Sequence, residues 1–147
     1  MKNNVFFLAI VLLLSSQIIC AQNMQKEIEN TIEAMIKCSI DKDLEKSMSF
    51  WSDSEDFVLI TDGHITNYTQ LREMLRQFWA NLEKQEVLKN SVQVTPLDKY
   101  KALCVWKGTE SIKMKDSEAI ESNWISTLVM ENKKGGWVIL HGHTSHF

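Results

Sequence analysis

The second half of the chain leaves little freedom of fold. From Glu83 onward the sequence turns to β character and does not turn back. Residues 87–94, 100–114, 119–132 and 136–147 each alternate apolar and polar side chains with a period of two, as Val92 and Val94 do around Gln93. "KDSE" (115–118) and "NKKGG" (132–136) stand between them as hairpin connections. Long strands joined by turns that short pair antiparallel, in a meander. The remaining half of the chain is left to cover one face of the resulting sheet.

That half reads as helices. Between Met24 and Ile40, apolar residues recur at Ile28, Ile32, Met35, Ile36 and Ile40, a helical stripe. "DKD" (41–43) offers an N-cap for a short second helix with Leu44 and Met48 one turn apart. "DFVLIT" (56–61) is a strand that runs into the turn pair Asp62–Gly63. Residues 67–82 form a third helix, in which Asn67 caps and Gln70 reaches back to it. Its inner stripe is Leu71, Met74, Leu75, Phe78 and Leu82. Helices segregated to one face of an antiparallel sheet make an α+β fold.

The N-terminus stands apart from this domain. Lys2 precedes an apolar run from Val5 to Leu14, and Ala21 offers a cleavage point. That is the layout of a secretory signal peptide over residues 1–21, followed by one domain over 22–147. The run is too short to span a membrane, which takes about 20 apolar residues. Cys20 raises the alternative of a lipoprotein, but the large Ile19 before it disfavours that cleavage. The protein is therefore expected outside the cytoplasm, periplasmic or secreted. Without Lys2 the domain holds 15 basic against 19 acidic side chains, a net charge of −4. A surface of that sign argues against nucleic acid as a partner. Export permits a disulfide, yet Cys38 and Cys104 read more simply as buried free thiols.

The order of elements, the capped third helix and the terminal "GGWVILHGHTS" together resemble the SnoaL-like branch of the nuclear-transport-factor-2-like superfamily. Members of that branch typically end with a Trp, an Ile two residues later, then one or two His and a Ser at two-residue steps. Trp137, Ile139, His141, His143 and Ser145 fall on that pattern, and the resemblance spans roughly Gln25 to Phe147. It implies a cone: a strongly curved antiparallel sheet packed on three N-terminal helices, open at one end on a pocket. It also implies frequent homodimers through the outer sheet face. Isomerases, polyketide cyclases, dehydratases and epoxide hydrolases share the fold, so activity does not transfer with it.

Strand geometry divides the terminal histidines. Side chains two apart share a face, which puts Trp137, Ile139, His141, His143 and Ser145 on one side and His146 on the other. By the resemblance, the first side is concave. His141 and His143 are then candidates for acid–base work, since an imidazole titrates near neutrality. A metal needs a third ligand, and neither His64 nor a carboxylate stands at ligand spacing, so no metal or cofactor is expected. Asp62 and Tyr68 are close in sequence, but Asp62 reads as a turn residue.

The five tryptophans, Trp51, Trp79, Trp106, Trp124 and Trp137, suit core packing first and a ligand cavity second. Trp106 and Trp124 are placed to stack across neighbouring strands. The expected ligand wall is Trp51, Tyr68, Trp106, Trp124, His141, His143 and Ser145. It would receive a small, largely apolar molecule. The rival expectation is a non-catalytic module that dimerises or docks a partner, its cavity filled by its own side chains. An isomerase-, cyclase- or dehydratase-type enzyme using the histidines is the third.

Overall fold

The structure is a computed structural model that describes the backbone of residues 2–147 and the side chains from Ala21 onward. The leader expected over residues 1–21, Cys20 included, falls outside those side chains but for its last residue. Among the described residues no helix is long and apolar enough to cross a membrane.

Helix α1 runs Lys2–Ile40, and its apolar spacing buries Met24, Ile28, Ile32, Met35 and Cys38 on one stripe. Each fully buried Ile contributes roughly 2 kcal/mol by leaving water. Asp43 caps α2 (Leu44–Met48), its carboxylate accepting from the Lys46 amide at 3.1 Å. Strand β1 (Val58–Thr61) ends in the Asp62–Gly63 turn, and the chain returns at once as β2 (His64–Thr66), a strand too short to show periodicity. The capping box on α3 (Tyr68–Asn81) is complete: Asn67 accepts from the Gln70 amide, and the Gln70 side chain accepts from the Asn67 amide, both at 2.9 Å. Leu71 and Trp79 are its buried residues; Met74, expected on the inner stripe, is exposed.

No loop separates α3 from β3 (Leu82–Pro96), which begins five residues before the expected start. Strands β4 (Lys101–Met114), β5 (Ile120–Lys133) and β6 (Gly136–His146) follow as the expected antiparallel meander. The sheet order is β2-β1-β6-β5-β4-β3, with β1 parallel to β6 and every other pair antiparallel. The six strands curve around the helices without closing, the cone expected from the resemblance. The core lies inside that curve: Ile28, Ile32, Met48, Phe57, Leu71, Leu128, Met130 and Ile139 are all essentially inaccessible. Cys38 and Cys104 are free and buried, and burial pushes the Cys104 thiol up to about 11. Along the outer edge of the sheet, the Gln25 carboxamide donates to the Val92 carbonyl and accepts from the Val94 amide, each at 3.0 Å.

Three irregularities shape the sheet. Strand β3 shifts register between Leu82 and Lys84 and again between Val87 and Lys89, and β6 shifts opposite Val129/Met130, where Leu140 is the extra residue. The shift in β6 occurs where the strand changes its second partner. The Ile139 amide donates to the Phe50 carbonyl at 2.8 Å and the Ile139 carbonyl accepts from Ser52 at 2.9 Å. From His141 onward the same edge pairs with β1.

Candidate functional site

The bulge at Leu140 inverts every side chain after it. Trp137 and Ile139 are buried on the inner face, and the inner positions then become Gly142, Thr144 and His146, opposite Leu128, Ser126 and Trp124 of β5. His141 and His143 are exposed on the outer face, and Ser145 shares their side. The expected facing of the terminal strand is thus corrected: strict alternation from Trp137 fails because one residue is spent on the bulge. His146, expected to point outward, is the histidine that borders the inner side, although its side chain stays 37% exposed.

What it borders is a cavity of about 200 Å³ between the helices and the concave sheet. Trp51, Trp79, Trp106 and Trp124 wall it, with Met35, Ile36 and Leu75 from the helices. Of the expected ligand wall, Trp51, Trp106 and Trp124 meet there, and His141, His143 and Ser145 do not. Tyr68 lies apart, edge-on to Phe57 with ring centroids 6.4 Å apart. Trp106 and Trp124 do stack across the sheet, T-shaped, with centroids 5.4 Å apart at 76°. Gly108 makes that arrangement possible. It stands directly opposite Trp124 in the ladder, and a Cβ there would come within 2.4 Å of the indole.

The polar groups of the cavity are few and mostly interlocked. Ser39 donates to Gln85 Oε1 at 2.9 Å, and Gln85 Nε2 donates to Glu110 Oε2 at 2.7 Å. Glu110 is only 9% exposed, and it forms no salt bridge among the described residues. Ser126 and Thr144, cross-strand partners, share a hydrogen bond of 2.8 Å. Period two along "CVWKGTE" carries Glu110 onto the face of Cys104 and Trp106, so its inward position is legible in the alternation, although a single acid in a strand carries no motif. Among the described residues no three side chains converge as metal ligands.

His146 is held by Asp62. The turn residue, at φ +50°, accepts from the His146 backbone amide through Oδ1 and pairs with the His146 Nδ1 through Oδ2, both at 2.8 Å. Asp62 therefore both makes the turn and fixes the imidazole. With Nδ1 tied to a carboxylate, Nε2 is the nitrogen left to exchange a proton with a bound molecule. The His146 amide, and after it the ring, hold the Asp62 carboxyl below its ordinary value of 3.8. The sign follows: a depressed carboxyl stabilises the native tether fully above pH 3.8, and the tether is lost as pH falls through the folded-state value. A carboxyl NMR titration is expected to place Asp62 below 3.8, and in His146→Ala its midpoint should rise only part way, because the backbone bond survives. An Asp62 midpoint unmoved by that substitution would remove the side-chain pair from the account.

Known proteins share this architecture. A candidate dehydratase of the NTF2-like family from Streptomyces avermitilis superposes with a TM-score of 0.74 at 14% identity, over 86% of this chain and 97% of its own. A candidate scytalone dehydratase from Novosphingobium aromaticivorans gives 0.77 at 8% identity, over 87% of each chain. A hexachlorocyclohexane dehydrochlorinase gives 0.73 at 10% identity, over 87% and 88%. At such identities the likeness is one of fold alone. No curated protein sequence matches the chain. The SnoaL-like domain, however, matches residues 28–147, from Ile28 of α1 to Phe147, one residue past the end of β6. By sequence the chain belongs to the SnoaL-like family, and its fold is similar to that of NTF2-like proteins.

Proposed function

We propose that this is an exported domain that binds a small, largely apolar molecule in the cavity between the helices and the curved sheet. The observation that carries the reading is the wall itself. Four tryptophans surround about 200 Å³ of space, with a handful of polar groups for orientation. Ligand sites are built in that way, apolar in area and polar at a few points. The volume lies below the usual few hundred Å³, so the ligand is small. Self-filling, the rival arrangement, is hard to reconcile with indoles that stand around the space. The His146–Asp62 pair favours a second reading, in which the bound molecule also loses or gains a proton.

Tryptophan fluorescence and melting temperature, followed over a panel of small aromatic and alicyclic compounds, test both. The protein purified from the exported fraction, beginning at Gln22, should show quenching and a raised melting temperature with some members. Val87→Phe, which fills the cavity, should abolish both effects. Binding that persists in Val87→Phe sinks this location. NMR of the same mixtures, with His146→Ala as control, reports any chemical change in the compound. A bound compound that stays unaltered throughout the panel argues against turnover.

A further inference from the structure

The charge inside the cavity is unbalanced. Among the described residues its lining holds one carboxylate, Glu110, and no lysine or arginine. The protein meets that carboxylate with an uncharged amide alone: Ser39 donates to Gln85 and Gln85 donates to Glu110, so the hydrogen bonds run towards the negative end. A buried charge without a counter-charge is unfavourable, and proteins ordinarily pair it. His146 is the other titratable group of the lining, and its Nδ1 is already committed to Asp62.

The tryptophans point the same way. The Nε1 atoms of Trp79, Trp106 and Trp124 are covered by protein and have no partner. At Trp79, Trp106 and Trp124 the walls therefore offer no free N–H donor, and Glu110, the carboxylate of the lining, disfavours an anion. Indole is the best of the aromatic side chains for holding a cation against its ring face, and four indoles line the cavity. Trp106 and Trp124 meet edge to face at 76° on the cavity wall, and Gly108 leaves the room for Trp124.

We propose that the cavity receives a compact organic cation, an alkylammonium group, against Trp51, Trp106 and Trp124 with Glu110 as its counter-charge. This rests on the reading of the cavity as a ligand site and specifies the chemistry of what enters it. The apolar surface of an alkylated ammonium suits the mostly apolar wall. Its charge answers Glu110.

The test compares choline with its uncharged carbon isostere, dimethylbutanol, by fluorescence quenching and melting temperature on the mature protein. Choline is expected to bind about tenfold or more tightly than the isostere. Glu110→Gln should bring the two within about twofold of each other. Trp106→Phe, which keeps a weaker ring in place, should reduce the preference without removing it. If Glu110→Gln does not fold, the comparison on the unaltered protein still decides. Equal binding of choline and the isostere, or binding of neutral panel compounds without choline, overturns the cation while leaving the ligand site standing. If neither choline nor any neutral compound binds, both proposals fall.

Discussion

Gly108→Val is expected to lower stability by about 2–3 kcal/mol, a drop in melting temperature on the order of 10 °C. A Cβ at that position would come within 2.3 Å of the Lys89 carbonyl oxygen and within 2.4 Å of the Trp124 ring. The first neighbour is backbone in a strand that already carries a register shift between Val87 and Lys89, so it cannot turn aside as a side chain can. The second is a wall of the cavity, and displacing it changes the space as well as the stability. Gly142 provides the comparison. A Cβ there meets Leu59 Cδ1 at 2.8 Å and Leu128 Cδ2 at 3.2 Å, both ends of flexible side chains. Gly142→Ala should therefore be the milder change, about 1 kcal/mol. Thermal unfolding of both variants, with Trp fluorescence as the probe, checks the order. A Gly108 variant as stable as the parent would mean that Trp124 has another resting place.

Phe57→Ala should be the larger loss, about 4 kcal/mol in denaturant unfolding. The ring is 1% exposed and lies just before β1 at the heart of the core. It stands edge-on to Trp51 at 5.9 Å and to Tyr68 at 6.4 Å, so truncation leaves a cavity and breaks two aromatic contacts at once. Trp51 is also a wall of the ligand cavity and bridges Ile139 beside the bulge of β6. Loss of support behind it should weaken any ligand that quenches Trp fluorescence. Phe57→Leu, which keeps most of the volume, should lose about 1 kcal/mol. A loss below about 1 kcal/mol for the alanine variant would contradict the placement of this ring in the core.

Both substitutions touch features that differ in how far sequence reveals them. Local signals read well. The Asn67–Gln70 capping box, the Asp43 cap and the alternation through β4 and β5 depend on neighbours a few residues away, and each is in the structure where its residues place it. The long-range choices do not read at all. Leu140 bulges because β6 has two partners on one edge, Phe50–Ser52 first and β1 afterwards, and nothing in "WVILHGHTSH" marks where one gives way to the other. That single extra residue moved His141 and His143 out of the expected wall and put His146 into it. The direct passage from α3 into β3 at Leu82 is similar: the helical stripe and the strand share a residue, and only packing decides its owner. Glu110 was legible by parity, but one acid in an apolar strand carries no local signature of a site.

Gln25 has a consequence for solubility. Strand β3 is one of the two edge strands of the sheet, 15 residues long, and such an edge is a template for joining another chain. By binding both the carbonyl of Val92 and the amide of Val94, the Gln25 carboxamide occupies the backbone groups that a foreign strand would use. The helix thus seals with one side chain the stretch of edge where apolar residues lie nearest the core. Gln25 is also only a few residues past the expected cleavage site, so a cut placed slightly further along would remove the protection. A mature chain trimmed past this residue would keep its sheet and lose its guard against aggregation.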